Sequence, residues 1–252
     1  MKDKLRQIIG IITIIATIAI NGLANALPIN GQNTGEISDR FAVYFVPAGY
    51  VFSIWGLIYL GLIVYAIFQA LPAQRENPRL RATGWWIFLG GLANITWIFL
   101  WHYEQFPLTL IAMLILLATL IITYLRLGVG RGSASRAEKL AVHLPFSIYL
   151  GWITVATVAN VTSLLDHLAW DGFGIAPEIW MGIVLTAVLG IALLMNFTRR
   201  DVAYAAVILW ALAGISIKHA AVAAVALPTW ITFALVLGSL VTALLMRKPA
   251  RG

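Results

Sequence analysis

Apolar residues in this chain run in long blocks with no alternation. Segments 8–27, 47–71, 82–101, 106–125, 140–165 and 179–197 contain no Asp, Glu, Lys or Arg. A helix needs about 20 apolar residues to cross a hydrocarbon core of roughly 30 Å, so each block reads as a membrane span. The stretch 202–246 is interrupted only by Lys218 and His219. At about 1.5 Å per residue it is too long for one crossing, so it reads as two helices, the second opened by Pro228. The pattern predicts an all-α polytopic membrane helix bundle of about eight transmembrane helices.

The basic residues follow the same division. Lys and Arg collect in cytoplasmic loops, and fifteen of the 17 fall at the two termini and in alternate connections, from Lys2, Lys4 and Arg6 through Arg79, Arg131 and Arg199 to Arg251. Only Arg40 and Lys218 lie on the other side, with Glu36, Asp39, Glu104, Asp166, Asp171 and Glu178. Both termini are therefore expected in the cytoplasm, and a bacterial inner (plasma) membrane suits the pattern. The basic start, short apolar run and Ala24-Asn25-Ala26 imitate a secretory signal with its cleavage site. A retained first helix is expected instead, because it restores the charge alternation.

Composition agrees with a membrane protein. The chain of 252 residues is 61% hydrophobic and 11% charged, with mean hydropathy +0.91; an average soluble domain is about 25% charged. The net charge of +7 is a topology signal and not a nucleic-acid footprint, because the basic residues are dispersed over alternate loops. Cysteine is absent, which excludes disulfides, thiolate metal sites and cysteine nucleophiles. His102, His143, His167 and His219 lie on separate connections or helix ends, so no zinc spacing arises. No Ser-His-acid set, P-loop or dinucleotide fingerprint is present. Catalytic residues, a metal and a resident cofactor are not expected.

Three spans depart from generic Leu, Ile, Val and Ala. The second opens Pro47-Ala48-Gly49-Tyr50-Val51-Phe52-Ser53-Ile54-Trp55 and continues to Tyr59, which places Phe52, Trp55 and Tyr59 on one face. The third carries Asn94, Trp97 and Trp101 at the same spacing. The fifth carries Tyr149, Trp152, Ala156 and Asn160, a small residue between an indole and an amide. Five of the ten tryptophans, Trp85, Trp86, Trp170, Trp180 and Trp230, read as boundary or packing residues. Trp55, Trp97 and Trp152 sit deeper. Their indole N–H groups want partners, and Asn94 and Asn160 supply amides either as interhelical glue or as ligand contacts. The two readings are equally open from sequence.

At these residues the chain resembles the TspO/MBR family, the tryptophan-rich sensory proteins that include the mitochondrial translocator protein and peripheral benzodiazepine receptor. The family's P-P-G-W-V-F-x-x-W-x-x-L-Y pattern is similar to Pro47 through Phe52 with Trp55 and Tyr59. Its L-x-x-N-x-x-W element is similar to Gly91 through Trp97, and its P-Y-x-x-W-x-x-x-A-T-x-x-N element to Tyr149, Trp152, Ala156, Thr157 and Asn160. Departures fall at Ala48 for the second proline, Tyr50 for a tryptophan, Ile54 for a common proline and Ile148 for the proline of the fifth span.

The resemblance implies a ligand-binding unit of five helices over residues 1–165, followed by a three-helix C-terminal extension over 166–252. It implies a cavity lined by Pro47, Tyr50, Phe52, Trp55, Tyr59, Asn94, Trp97, Tyr149, Trp152, Ala156, Thr157 and Asn160. The implied ligands are porphyrins and similar aromatic amphiphiles, held for stress sensing, signalling or tetrapyrrole handling, with photo-oxidative porphyrin breakdown at Trp152 as a side activity. The polar loop from Pro28 to Phe45 reads as a lid, with Arg40 a solvated charge or a propionate partner. A second copy of the chain is the other expected partner, besides the lipid bilayer.

Transport of a small amphiphilic solute is the alternative function class. No internal repeat is visible and the first six spans carry no acid or base, which argues against ion coupling. Lys218 suggests a retinal Schiff base, yet residues 202–217 span only about 24 Å, so it reads as a snorkelling surface lysine. Leu120, Tyr124 and Arg126 match a cholesterol-recognition pattern that carries little weight.

Overall fold

The computed structural model describes residues 3–27 and 29–246. Pro28 of the expected lid and Lys2, Arg247, Lys248 and Arg251 of the charge pattern lie outside the described residues. The described residues form helices and no strand. They are α1 (Asp3–Ala26), the short α2 (Thr34–Asp39), α3 (Gly49–Ala70), α4 (Pro78–His102), α5 (Phe106–Leu127), α6 (Arg136–His167), α7 (Pro177–Arg199), α8 (Val202–Lys218) and α9 (Ala223–Leu245). Seven are long and apolar enough to cross a membrane, and α8, at 17 residues, is the shorter eighth.

Helices α1, α4, α5, α6 and α3 close into a ring in which α4 packs between α1 and α5, while α6 packs between α5 and α3. Small residues allow the close approaches, as is usual where lipid supplies no hydrophobic drive between helices. A methyl group on Gly91 of α4 would collide with Thr13 of α1, and one on Gly90 would lie 2.9 Å from the Thr119 hydroxyl of α5. The α1–α3 seam is tied by reciprocal amides: Gln7 donates to the Gln69 carbonyl at 2.7 Å, and Gln69 donates to the Gln7 carbonyl at 2.9 Å.

Two helices depart from simple geometry for identifiable reasons. Helix α6 contains a π-turn at Lys139–His143, after its first turn and just before Pro145. A proline ring clashes with the carbonyl four residues earlier, and a widened turn relieves that clash. Helix α9 starts at Ala223, five residues earlier than Pro228 implies, and keeps the proline inside its second turn. The Val222 carbonyl accepts from Val225 and Ala226, both at 2.9 Å, so the first turn closes without needing the missing N–H of Pro228.

The three C-terminal helices are joined to the ring. Helix α8 lies on α6, and α9 packs on both α7 and α8. Asp201, which caps α8 by accepting from Ala203 and Tyr204 N–H at 3.1 Å, also accepts the Tyr124 phenol at 2.8 Å and the Ser147 hydroxyl at 2.6 Å. One buried carboxylate thus links α8 to α5 and α6. Tyr124, the central residue of the sterol-like pattern, is buried in this link.

Candidate ligand-binding site

The site begins with periodicity on α6. Trp152, Val155, Ala156, Ala159, Asn160 and Ser163 recur at helical spacing and face a cavity of about 50 Å³ enclosed by the ring. Across it stand Trp97 and Trp101 of α4 and Met113 of α5. Val46, Pro47, Phe52 and Trp55 enter at the start of α3, while Thr34 and Ser38 close it from α2.

The aromatic walls are ordered against one another. Trp97 stacks on Trp101 with centroids 5.2 Å apart, and Phe52 and Trp55 meet Trp152 edge-on at 5.6 and 6.4 Å. Three of these indoles differ in how their N–H is satisfied. Trp97 donates to Asn160 Oδ1 at 3.1 Å, and Trp101 donates to the Thr34 carbonyl at 3.2 Å. Trp152 is 2% exposed, and its Nε1 has no partner among the described residues.

The lid is fastened to the ring. Asn33 and Glu36 form a reciprocal capping box on α2. His102, buried at the end of α4, lies 3.1 Å from the Thr34 hydroxyl and 3.1 Å from the Ile29 carbonyl. Arg40 pairs with Glu104 at 2.9 Å in an exposed bridge, so the guanidinium is engaged outside the cavity. On the far side Lys218 of α8 reaches Asp39 at 2.9 Å.

The twelve residues expected at the site separate in space. Pro47, Phe52, Trp55, Trp97, Trp152, Ala156 and Asn160 line the cavity. Asn94, Tyr149, Thr157, Tyr59 and Tyr50 stand outside its lining. Asn94 is used between helices, accepting from Asn21 at 2.6 Å and donating to Tyr149 Oη at 2.9 Å. Thr157 returns its hydroxyl to the Ile153 carbonyl at 2.7 Å, and Tyr59 stacks behind Trp55 at 5.5 Å. Asn160 serves both readings, lining the cavity while it bonds Trp97 and donates to Thr109 Oγ1 at 2.9 Å.

Tyr50 is explained by α8. It is exposed to 46% and meets Trp210 edge-on at 5.4 Å, and Trp210 donates its indole N–H to the Val51 carbonyl at 3.1 Å. Gly214 brings α8 close enough that a methyl group there would collide with Val51 Cγ2. Sequence reasoning missed Thr34, Ser38, Val46, Met113, Val155, Ala159 and Ser163, and noted Trp101 without assigning it to the site. The helical period running from Trp152 held the signal for the α6 residues; the lid residues have no such signal.

Chemically the cavity offers flat π faces, the buried unpaired indole donor of Trp152, an amide and hydroxyls, with no ionised group in its lining. The described residues contain no cluster of three His, Asp or Glu able to hold a metal ion.

Comparison with known proteins adds the family. A family model described as TSPO-like protein matches residues 7–246 and therefore runs through the three C-terminal helices as well as the five-helix ring. No curated protein and no solved structure matches the chain. With the motifs of the second, third and fifth spans arranged around one cavity in an all-helical membrane bundle, the chain belongs to the TSPO-like family.

Proposed function

We propose that this TSPO-like membrane protein binds a flat aromatic amphiphile of the porphyrin or tetrapyrrole class in the cavity between α3, α4 and α6, acting in stress sensing or tetrapyrrole handling. The observation that carries the reading is Trp152: a buried indole N–H without an acceptor, set in a wall of aromatic faces. Leaving such a donor unpaired costs about 1–3 kcal/mol, which a ligand oxygen reaching it recovers. Stacking on Trp55, Trp97 and Phe52 supplies apolar contact for a conjugated ring.

At about 50 Å³ the cavity is too small for a macrocycle as it stands, since ligand pockets measure roughly 300–1,000 Å³. Entry of a macrocycle therefore requires α2 to lift. The ties to be broken are the bonds of His102 with Thr34, Ile29 and Asn30, the Trp101–Thr34 bond, the packing of the fully buried Ile37 and two exposed ion pairs.

The test is titration of the purified protein with protoporphyrin IX, following porphyrin absorbance and tryptophan quenching. Saturable binding is expected, weakened about tenfold in Trp152→Phe, which removes the donor and keeps an aromatic ring. Absent binding, or unchanged affinity in Trp152→Phe, overturns the site. Robust gradient-driven flux of the porphyrin in vesicles overturns sensing in favour of transport.

A further inference from the structure

A larger cavity, of about 390 Å³, lies on the other face of α6. Val158, Val161, Thr162 and Leu165 repeat at helical spacing there, offset from the stripe that carries Trp152 and Asn160. The two cavities share a wall. In the segment before α3, Tyr44 and Phe45 line the outer cavity, and Val46 and Pro47 line the inner one. Helix α7 closes the far side, so the outer cavity exists because the chain continues past the five-helix ring.

Its chemistry differs from that of the inner site. The floor is apolar, and Trp170 and Trp180 form one wall with centroids 5.0 Å apart. Trp180 donates to the Gly172 carbonyl at 2.9 Å, which holds the α6–α7 loop against it. Asp166 and Asp171 also line the cavity, and no Lys, Arg or His does. Each carboxylate spends one oxygen on backbone: Asp166 Oδ2 accepts from Ala42 N–H at 3.3 Å, and Asp171 Oδ1 from Phe173 N–H at 2.9 Å. The second oxygen of each has no partner among the described residues.

We propose that this outer cavity binds a hydrophobic organic cation, with an apolar body against α6 and α7 and its positive centre between the two carboxylates and the Trp170 and Trp180 rings. The volume falls within the range of small-molecule pockets. Aromatic faces and carboxylates together favour a weakly hydrated cation. They disfavour a zwitterionic lipid headgroup, whose phosphate would meet the same carboxylates. They also disfavour an anionic porphyrin, so the two cavities take ligands of opposite charge and their tests fail independently.

The test uses the full chain in phosphatidylcholine nanodiscs, titrated with tetraphenylphosphonium and with tetraphenylborate, ions of like shape and opposite charge, against empty nanodiscs. Saturable binding of one tetraphenylphosphonium per chain is expected, without saturable binding of tetraphenylborate. The Asp166→Asn and Asp171→Asn double variant keeps the oxygens that accept from Ala42 and Phe173 and is expected to weaken binding at least about tenfold. Val161→Trp, which fills the floor, is expected to abolish binding, whereas Trp152→Phe is expected to leave it unchanged. Absent saturable binding, equal affinity for both ions, or unchanged affinity in both the double variant and Val161→Trp overturns the proposal. Displacement of the cation by phosphatidylethanolamine overturns it in favour of a lipid site.

Discussion

Ala48 donates its backbone N–H to the Gly214 carbonyl at 3.3 Å, joining the start of α3 to α8. The TspO/MBR pattern has a proline at this position, which has no N–H to give. Tyr50, where the pattern has tryptophan, meets Trp210 of the same helix. Two departures from the motif therefore fall among the positions at which α8 docks on the start of α3.

Ala48→Pro tests that contact with little else disturbed, because Ala48 already has φ −59° and ψ 149°. The variant is expected to lose about 0.5–1.5 kcal/mol of stability through the one missing hydrogen bond. Combined with Trp210→Phe, which deletes the bond to Val51, it is expected to raise amide exchange in residues 49–53. Thermal unfolding in detergent and hydrogen exchange measure both.

Asn94 is expected to act on stability and not on the ligand. Its amide is consumed by Asn21 and Tyr149, so Asn94→Ala leaves two buried polar groups short of a partner at a cost of about 1–3 kcal/mol. Porphyrin affinity per folded molecule is expected to stay at the parent level. A loss of affinity as large as that of Trp152→Phe would return Asn94 to the ligand site.

Asp201→Ala is expected to be the most damaging single change outside the cavity. It removes the α8 cap and strands the Tyr124 and Ser147 hydroxyls, for a loss of about 2–4 kcal/mol. Asp201→Asn keeps an acceptor and is expected to lose less. Chemical denaturation of the three proteins side by side decides the order.

His219, just past α8, contacts the Tyr44 ring at 5.3 Å. Burial, reinforced by the neighbouring Lys218, holds its imidazole below the ordinary histidine value. The neutral ring is the docked form, so its contribution is full above the unfolded value of about 6.5 and is lost as pH falls through the lower folded value. Acidification is expected to loosen residues 42–45, seen as faster amide exchange, and His219→Phe is expected to remove this pH dependence.

Part of the site was legible without the fold. Trp55, Trp97, Trp152 and Asn160 stand out because a large polar-tipped side chain deep in a span demands a partner, and three motifs in order place them on known helices. Thr34 and Ser38 were not legible, since nothing in a polar loop specifies which residues turn toward the ring. Asn94 and Tyr149 carry the same local signal as Asn160 and, like Trp97 and Asn160, bond each other between α4 and α6, yet they stand outside the cavity lining. Periodicity gives a face; the neighbouring helix decides whether that face meets a cavity or an amide.

The sequence by itself determined the solvent and the spans. Hydrocarbon excludes unsatisfied backbone and unpaired charge, so uncharged blocks of span length have one spanning form, and the period of each block states its faces. Tertiary structure alone decided what the last three helices do. Asp201, Gly214 and Trp210 are ordinary residues in the sequence, and their roles come from partners in α3, α5 and α6 more than fifty positions away. Those pairings depend on which helices become neighbours, and lipid-facing composition, nearly uniform along all eight, does not encode that choice.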